Sequence, residues 1–463
     1  MQRLTGLDAA FLSLETPTNH MHVMAVAVLD PSALEGGFSA STLKRLIEHR
    51  LDRLPPFRRR LVPVPFGVNQ PLWVEDPGFD IDFHVRQVAV TRPGGPEDLA
   101  ALAGEIAGWP LDRGRPLWQM WVAEGLEHGH VAIIAKVHHS VLDGASGVEV
   151  LAHLVDLEPI PVDEAPPSPG EWVPDRVPGE LEAFAGSVVS LARRPVRMAR
   201  ALVHLGESLL RLGTRLRHEP VQTGVPFTAP RLAWNTMITP HRRVGFTSIA
   251  LDDVRRVKES AGATVNDVLL TVLSGAFRRY LEARDELPDR PLVAVVPTSV
   301  RSTADTDIGN QVSAMFTQLA TDVEDPLDRL RAVQTTMSGA KHVHDDIGGD
   351  TLGEWAELAS PALLAGGMRL YGQLRLAERH PPILNVVVSN VPGPQFPLYF
   401  AGARLVSLFP MGPVFDGAGL NVTVITYEGR VDVGFMACRE TVPDLWGLAA
   451  EIPEAMQELL KAI

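Results

Sequence analysis

Two adjacent histidines, His138 and His139, are followed by Ser140-Val141-Leu142 and then by Asp143 and Gly144. An imidazole titrates near pH 6.5, so close to neutrality it can take up a proton and hand it on. A carboxylate four residues beyond His139 can shape the loop that carries it, and the adjoining glycine permits a tight turn. These types suit general acid–base chemistry. The residues alone leave two other readings open. The pair can be surface histidines ahead of a turn-forming Asp-Gly. It can also belong to a metal site, although adjacent histidines rarely point the same way and Asp143 alone does not complete a ligand set. His20/His22 and His342/His344 alternate as ligands do, but neither pair has an obvious third partner. Ser140 and Cys438 are conceivable nucleophiles. Cys438 is the only cysteine, so an internal disulfide and a cysteine metal cluster are excluded, and a reducing, intracellular location fits.

The elements around this motif read as an α/β alternation. His130 to Val137 is an apolar strand that ends on the histidines, and Gly144 to Leu157 reads as the helix that follows. A strand end feeding a loop is where α/β folds present reactive side chains. His22 to Leu29, Phe79 to Val90 and Trp118 to Gly125 also read as strands, and Ser41 to Leu51 and Glu97 to Ala107 as helices. In the second half the strand candidates are Arg243 to Leu251, Leu292 to Pro297, Pro382 to Ser389, Leu420 to Tyr427 and Arg430 to Met436. Asp252 to Ser260 and Thr264 to Ala283 read as helices there. The pattern predicts two lobes of similar size, each with several strands and interspersed helices.

Between the lobes, Glu158 to Gly179 holds seven prolines and reads as a linker. Beyond it, Arg193 to Arg217 carries seven arginines and one carboxylate, Glu207, in a helical, leucine-containing stretch. It reads either as a helix with a solvated basic face or as one that meets a membrane surface or phosphates. The division expected is 1–179, ending in the linker, then a basic connector over 180–220, then 221–463.

Composition bounds the class. At 463 residues, 45% hydrophobic and 21% charged, the chain is neither disordered nor a small stapled scaffold. Its net charge of −14 repels nucleic acid and anionic lipid everywhere except at a local basic patch. No signal peptide is visible in Met1 to Gly6. No run approaches the ~18 apolar residues that span a bilayer, so any membrane contact is expected to be peripheral.

His138-His139-x-x-x-Asp143-Gly144 resembles the active-site motif of the CoA-dependent acyltransferase superfamily. Further segments resemble one branch of it, the bacterial wax ester synthase/diacylglycerol acyltransferase family. They are Leu7 to Leu12, Glu15-Thr16-Pro17 with His20 to Val23, Phe79 to Arg86, and Pro110 to Arg113 with Pro116-Leu117-Trp118. In the second half they are Asn266 to Leu270, Pro297 to Arg301, Ser389 to Pro394 and Gly419 to Val422. They run in order over nearly the whole chain.

The resemblance implies two chloramphenicol-acetyltransferase-like domains, each a mixed sheet with helices, with a tunnel between them. It implies transfer of a long-chain acyl group from acyl-CoA, as co-substrate, to diacylglycerol or a long-chain alcohol. No permanently bound cofactor, no metal and no nucleic acid is expected. By resemblance His139 is the general base, with direct attack on the thioester, and His138 supports the loop. Asp143 is structural, paired with Arg301, and Gly144 belongs to the loop. Asn266, at the start of a long helix, is the candidate oxyanion donor, with helix capping as its alternative role. Acylation of another lipid or polyketide alcohol, and an inactive lipid- or CoA-binding relative, are the other functions weighed. Attachment to the inner membrane or a lipid droplet is the expected location.

Overall fold

A strand with apolar residues on both faces must be covered on both faces, and His22–Asp30 shows what this requires. Met24 and Val26 enter one buried cluster, and Ala27 and Leu29 enter another on the opposite side. The protein, seen here as a computed structural model, is described over residues 2–67, 69–142, 144–159, 176–179, 182, 223–299, 312–347 and 361–463. Asp143, Arg301, Arg193 to Arg217, most of the expected connector and residues 160–175 of the linker lie outside the described residues.

Two six-stranded mixed sheets organise the chain. The first runs Tyr399–Phe400, Ala403–Met411, His22–Asp30, Val131–His138, Trp118–Glu124, Val85–Ala89. Only its last pair is parallel. The second runs Val312–Leu319, Leu292–Ser299, Val386–Val391, Leu420–Tyr427, Arg430–Cys438, Arg242–Ala250. Val386–Val391 pairs in parallel with both its neighbours.

The first sheet is completed by chain from the second half. Ala403–Met411 pairs antiparallel with His22–Asp30, so it lies in the sheet of the first lobe although it falls within the 221–463 division. A shared core then joins the lobes. It includes Val26 and Ile134 from the first sheet, Val244 and Phe246 from the second, and Phe409 stacked on Phe246 at 4.4 Å.

Local sequence explains several ends. Thr264 caps the helix Val265–Glu282 with a reciprocal pair of bonds. Asp267 N–H donates to Thr264 Oγ1 at 3.1 Å, and Thr264 N–H donates to Asp267 Oδ2 at 2.9 Å. Phe79 to Val90 is not one strand. Asp80 accepts the Asp82 N–H at 3.0 Å and starts a helical turn, Ile81–His84, before the strand Val85–Ala89. The helix after the motif ends at Leu154, three residues short of expectation, because Asp156 leaves to bridge Tyr399. The third strand of the second sheet begins at Val386, four residues later than the pattern suggests.

Candidate active site

His138 is the last residue of the strand Val131–His138 and pairs with His22 across the ladder. Backbone bonds pin this strand end from both sides. His138 N–H donates to the Leu117 carbonyl at 2.9 Å, and His139 N–H donates to the Met21 carbonyl at 2.8 Å. Leu117 and Met21 each lie just before a neighbouring strand, so both flanking chains fix where the loop begins.

The two histidines sit in different environments. His138 is buried, at 1% exposure. Ser140 N–H donates to its Nδ1 at 3.0 Å, and Ser140 Oγ lies 2.8 Å from the same atom. A nitrogen that accepts carries no proton, so neutral His138 holds its hydrogen on Nε2. Burial pushes its pKa well below the usual histidine range, and the nearby Arg113 and His139 add to this. The His139 ring, half-buried, stacks on Phe11 with centroids 4.1 Å apart and planes at 20°. Phe11 comes from the first helix, Gly6–Leu14.

The residue just past that helix faces the motif too. Glu15 Oε2 accepts from Arg113 Nε at 2.8 Å, while Glu15 Oε1 lies 3.9 Å from His138 Nε2. Glu15, Phe11 and Arg113 entered the sequence reading only as members of resembling segments. No spacing ties residues 11–15 to 113 or to 138; the resembling segments around them were the only signal.

Asn266 is the second residue of its helix. The capping role falls to Thr264, so the alternative weighed for Asn266 does not hold. Its Oδ1 accepts from Asn390 Nδ2 at 3.4 Å, so among the described residues the Asn266 NH2 is the end left to donate. Asn390 lies on the strand Val386–Val391. The same buried cluster that holds Val137, Val141 and Leu142 of the motif region takes Val391 against it. Gly144 opens the helix Gly144–Leu154.

The other candidates are placed elsewhere. Cys438 is fully buried in the core shared by the lobes. Its Sγ donates to Glu440 Oε2 at 3.5 Å. Ser140, 2% exposed, sits on His138 Nδ1, with Glu15 beyond Nε2, in an order that superficially matches a nucleophile–base–acid triad. The hydroxyl is nonetheless buried together with the His138 ring, so the contact braces the loop and does not present Ser140 to a substrate. His20 and His22 stack on each other at 5.6 Å, and His22 Nε2 bonds the Ala107 carbonyl at 2.9 Å. Among the described residues no group of three His, Cys, Asp or Glu could hold a metal ion. Among them, too, no helix is long and apolar enough to cross a membrane.

The two-lobed fold of mixed sheets with helices is shared with peptide-synthetase condensation domains. The first condensation domain of the calcium-dependent antibiotic synthetase has this fold, with a TM-score of 0.58 at 15% identity, covering all of this chain and 96% of that one. The wax ester synthase/diacylglycerol acyltransferase from Marinobacter aquaeolei VT8 has it at a TM-score of 0.69 and 28% identity, with both chains fully covered.

Residues 4–269 match the wax ester synthase/diacylglycerol acyltransferase catalytic domain, and residues 308–460 match the WS/DGAT C-terminal domain. The chain therefore belongs to the wax ester synthase/diacylglycerol acyltransferase family, and it is an enzyme of that acyl-CoA-dependent acyltransferase type. A Mycobacterium tuberculosis protein named as a diacylglycerol O-acyltransferase is 39% identical over all of this chain and 90% of its own length. A second such mycobacterial protein is 35% identical over 98% of both chains.

Proposed function

We propose that the enzyme moves a long-chain acyl group from acyl-CoA to the hydroxyl of diacylglycerol, of a long-chain alcohol, or of both, with His139 as general base. The observation that carries this is the placement of His139: its backbone is tied to Met21 and its ring is laid flat on Phe11. Such restraint leaves little freedom to lose when a substrate hydroxyl approaches. The diacylglycerol named in both mycobacterial relatives favours that acceptor.

The step balances without a covalent enzyme intermediate. The alcohol oxygen attacks the thioester carbonyl carbon while its proton passes to His139. The tetrahedral intermediate collapses with cleavage of the C–S bond, and the imidazolium returns the proton to the departing CoA thiolate. The Asn266 NH2 is our candidate donor to the intermediate's oxyanion. The buried Cys438 supports direct attack over an acyl-enzyme.

We further propose peripheral attachment to a membrane or lipid droplet, since the acceptor and product are water-insoluble. On the helix Pro361–Gln373 and just past it, Leu363, Leu370 and Leu374 are 78%, 53% and 42% exposed at helical spacing. That helix packs against Gly6–Leu14, which carries Phe11.

The test is CoA release from palmitoyl-CoA with diolein or hexadecanol as acceptor. General-base catalysis accounts for about 10²–10⁴-fold, so His139→Ala is expected to lose at least that much. Retained turnover in this variant would remove His139 from the mechanism, and an acyl group trapped on Ser140 or Cys438 would replace direct attack.

A further inference from the structure

We infer that Glu15 is a positioning residue for this reaction: anchored by Arg113, its carboxylate holds the His138 ring so that His138 braces Ser140 and presents His139. The inference rests on His139 being the base.

The geometry is specific. The Glu15 side chain is 10% exposed, and its two oxygens do different things. Oε2 takes Arg113 Nε at 2.8 Å, and Arg113 Nη2 also donates to the Leu12 carbonyl at 2.7 Å. This ties the carboxylate to the end of the first helix. Oε1 is buried without a hydrogen bond, and so is His138 Nε2, which it faces at 3.9 Å. The Ser140 N–H on Nδ1 assigns the ring proton to Nε2. A buried donor and a buried acceptor therefore point at each other, about 1 Å beyond a hydrogen bond. Leaving both unpaired is costly, so closing that gap is the favourable motion.

The ring's other nitrogen holds the residue after the base. Any rotation of His138 thus moves the Ser140 backbone and the turn that carries His139. The arrangement is a base kept in place by further groups, with Glu15 acting at one remove. Among the described residues, the charged and titratable groups around His138 are Glu15 and Arg113 from neighbouring segments, His22 across the ladder, and His139 beside it. Glu15 and Arg113 balance each other. Removing either leaves one sign of charge beside the histidines.

The two removals have opposite signatures. In Glu15→Gln the Arg113 charge is unopposed and disfavours an imidazolium, so the acid limb of kcat/KM moves to lower pH. In Arg113→Gln the carboxylate is unopposed and the acid limb moves to higher pH. Glu15→Gln is also expected to lower kcat about 10- to 100-fold with KM for palmitoyl-CoA unchanged, the scale of a small misplacement of a catalytic group. A purely structural role would not move the limbs in opposite directions.

The full chain, its melting temperature and His139→Ala serve as controls. Inert wild-type protein, or an active His139→Ala, would defeat the functional reading rather than this one. With wild type active and His139→Ala dead, unchanged acid limbs in both variants would overturn the inference. Should Glu15→Gln not fold, Arg113→Gln decides alone, since Arg113 is half exposed. An upward limb then supports the inference and an unmoved one ends it.

Discussion

His20, His22, His84 and His138 are all buried, and burial is the largest cause holding each below the ordinary histidine range. For His20 and His84 the value falls to about 4. Unfolded histidine titrates near 6.5. Between 4 and 6.5 the unfolded chain therefore binds more protons than the folded one, and stability rises with pH. The contribution is complete above 6.5 and is lost as pH falls toward 4. Asp416 and Asp432, raised by burial, act in the opposite sense, but they are two against four. Urea denaturation should therefore show a lower midpoint at pH 5 than at pH 7.5; equal midpoints would show that the histidines are not buried neutral. The motif was readable at this scale because its residues are adjacent in sequence. What surrounds it was not, because Glu15 meets Arg113 across 98 positions.

Elements with a strong local signal agree closely with the pattern. The helix Val265–Glu282 falls within the Thr264 to Ala283 segment expected to be helical, and its start at Thr264 follows from the cap. An N-cap of this kind contributes about 1 kcal/mol, so Thr264→Ala should lower unfolding free energy by roughly that amount in urea. Because the cap also fixes the turn on which Asn266 rides, kcat should fall in the same variant. Unchanged stability would assign the helix start to tertiary packing instead. Ala403–Met411, Val312–Leu319 and the helices Pro326–Ile347 and Leu445–Ala462 are elements that the sequence pattern does not predict. The sequence Ala-Arg-Leu-Val-Ser-Leu-Phe-Pro-Met has no clean alternation, and a bulge shifts its register between Leu405 and Ser407. The Phe79 to Val90 segment departs from its pattern for the converse reason. Its alternation is real, but the Asp80 side chain satisfies a backbone donor and favours one helical turn.

At the scale of the whole molecule, the charge of −14 is unevenly spread. The helix Pro361–Gln373 holds one arginine, Arg369, and no carboxylate beside its exposed leucines, and Arg375 just past it is paired with Glu378. This surface suits an anionic lipid interface better than the acidic remainder does. Replacing Leu363, Leu370 and Leu374 by glutamine should lower partitioning onto phosphatidylcholine–phosphatidylglycerol vesicles by about tenfold or more. Turnover of a water-soluble short-chain alcohol should be unaffected. Unchanged vesicle binding would move the attachment site elsewhere on the chain.

The chemistry was legible in one dimension. Seven consecutive residues, His138 to Gly144, with ordered segments before and after them, were enough for the reaction class, the two-lobed α/β plan and the choice of His139 over His138 as candidate base. The resemblance of those segments to the family carries the reaction class and the choice of base; the residue types alone leave a surface pair or a metal site open. Only the tertiary structure decided that Phe11 supports the His139 ring, that Glu15 and Arg113 stand behind His138, and that Asn266 meets Asn390. It also decided that a strand near residue 405 completes the sheet of the first lobe. The reason is physical. Each of these pairings joins chemically ordinary side chains or an irregular strand across about 100 residues or more, and burial of shared surface selects them rather than any local propensity.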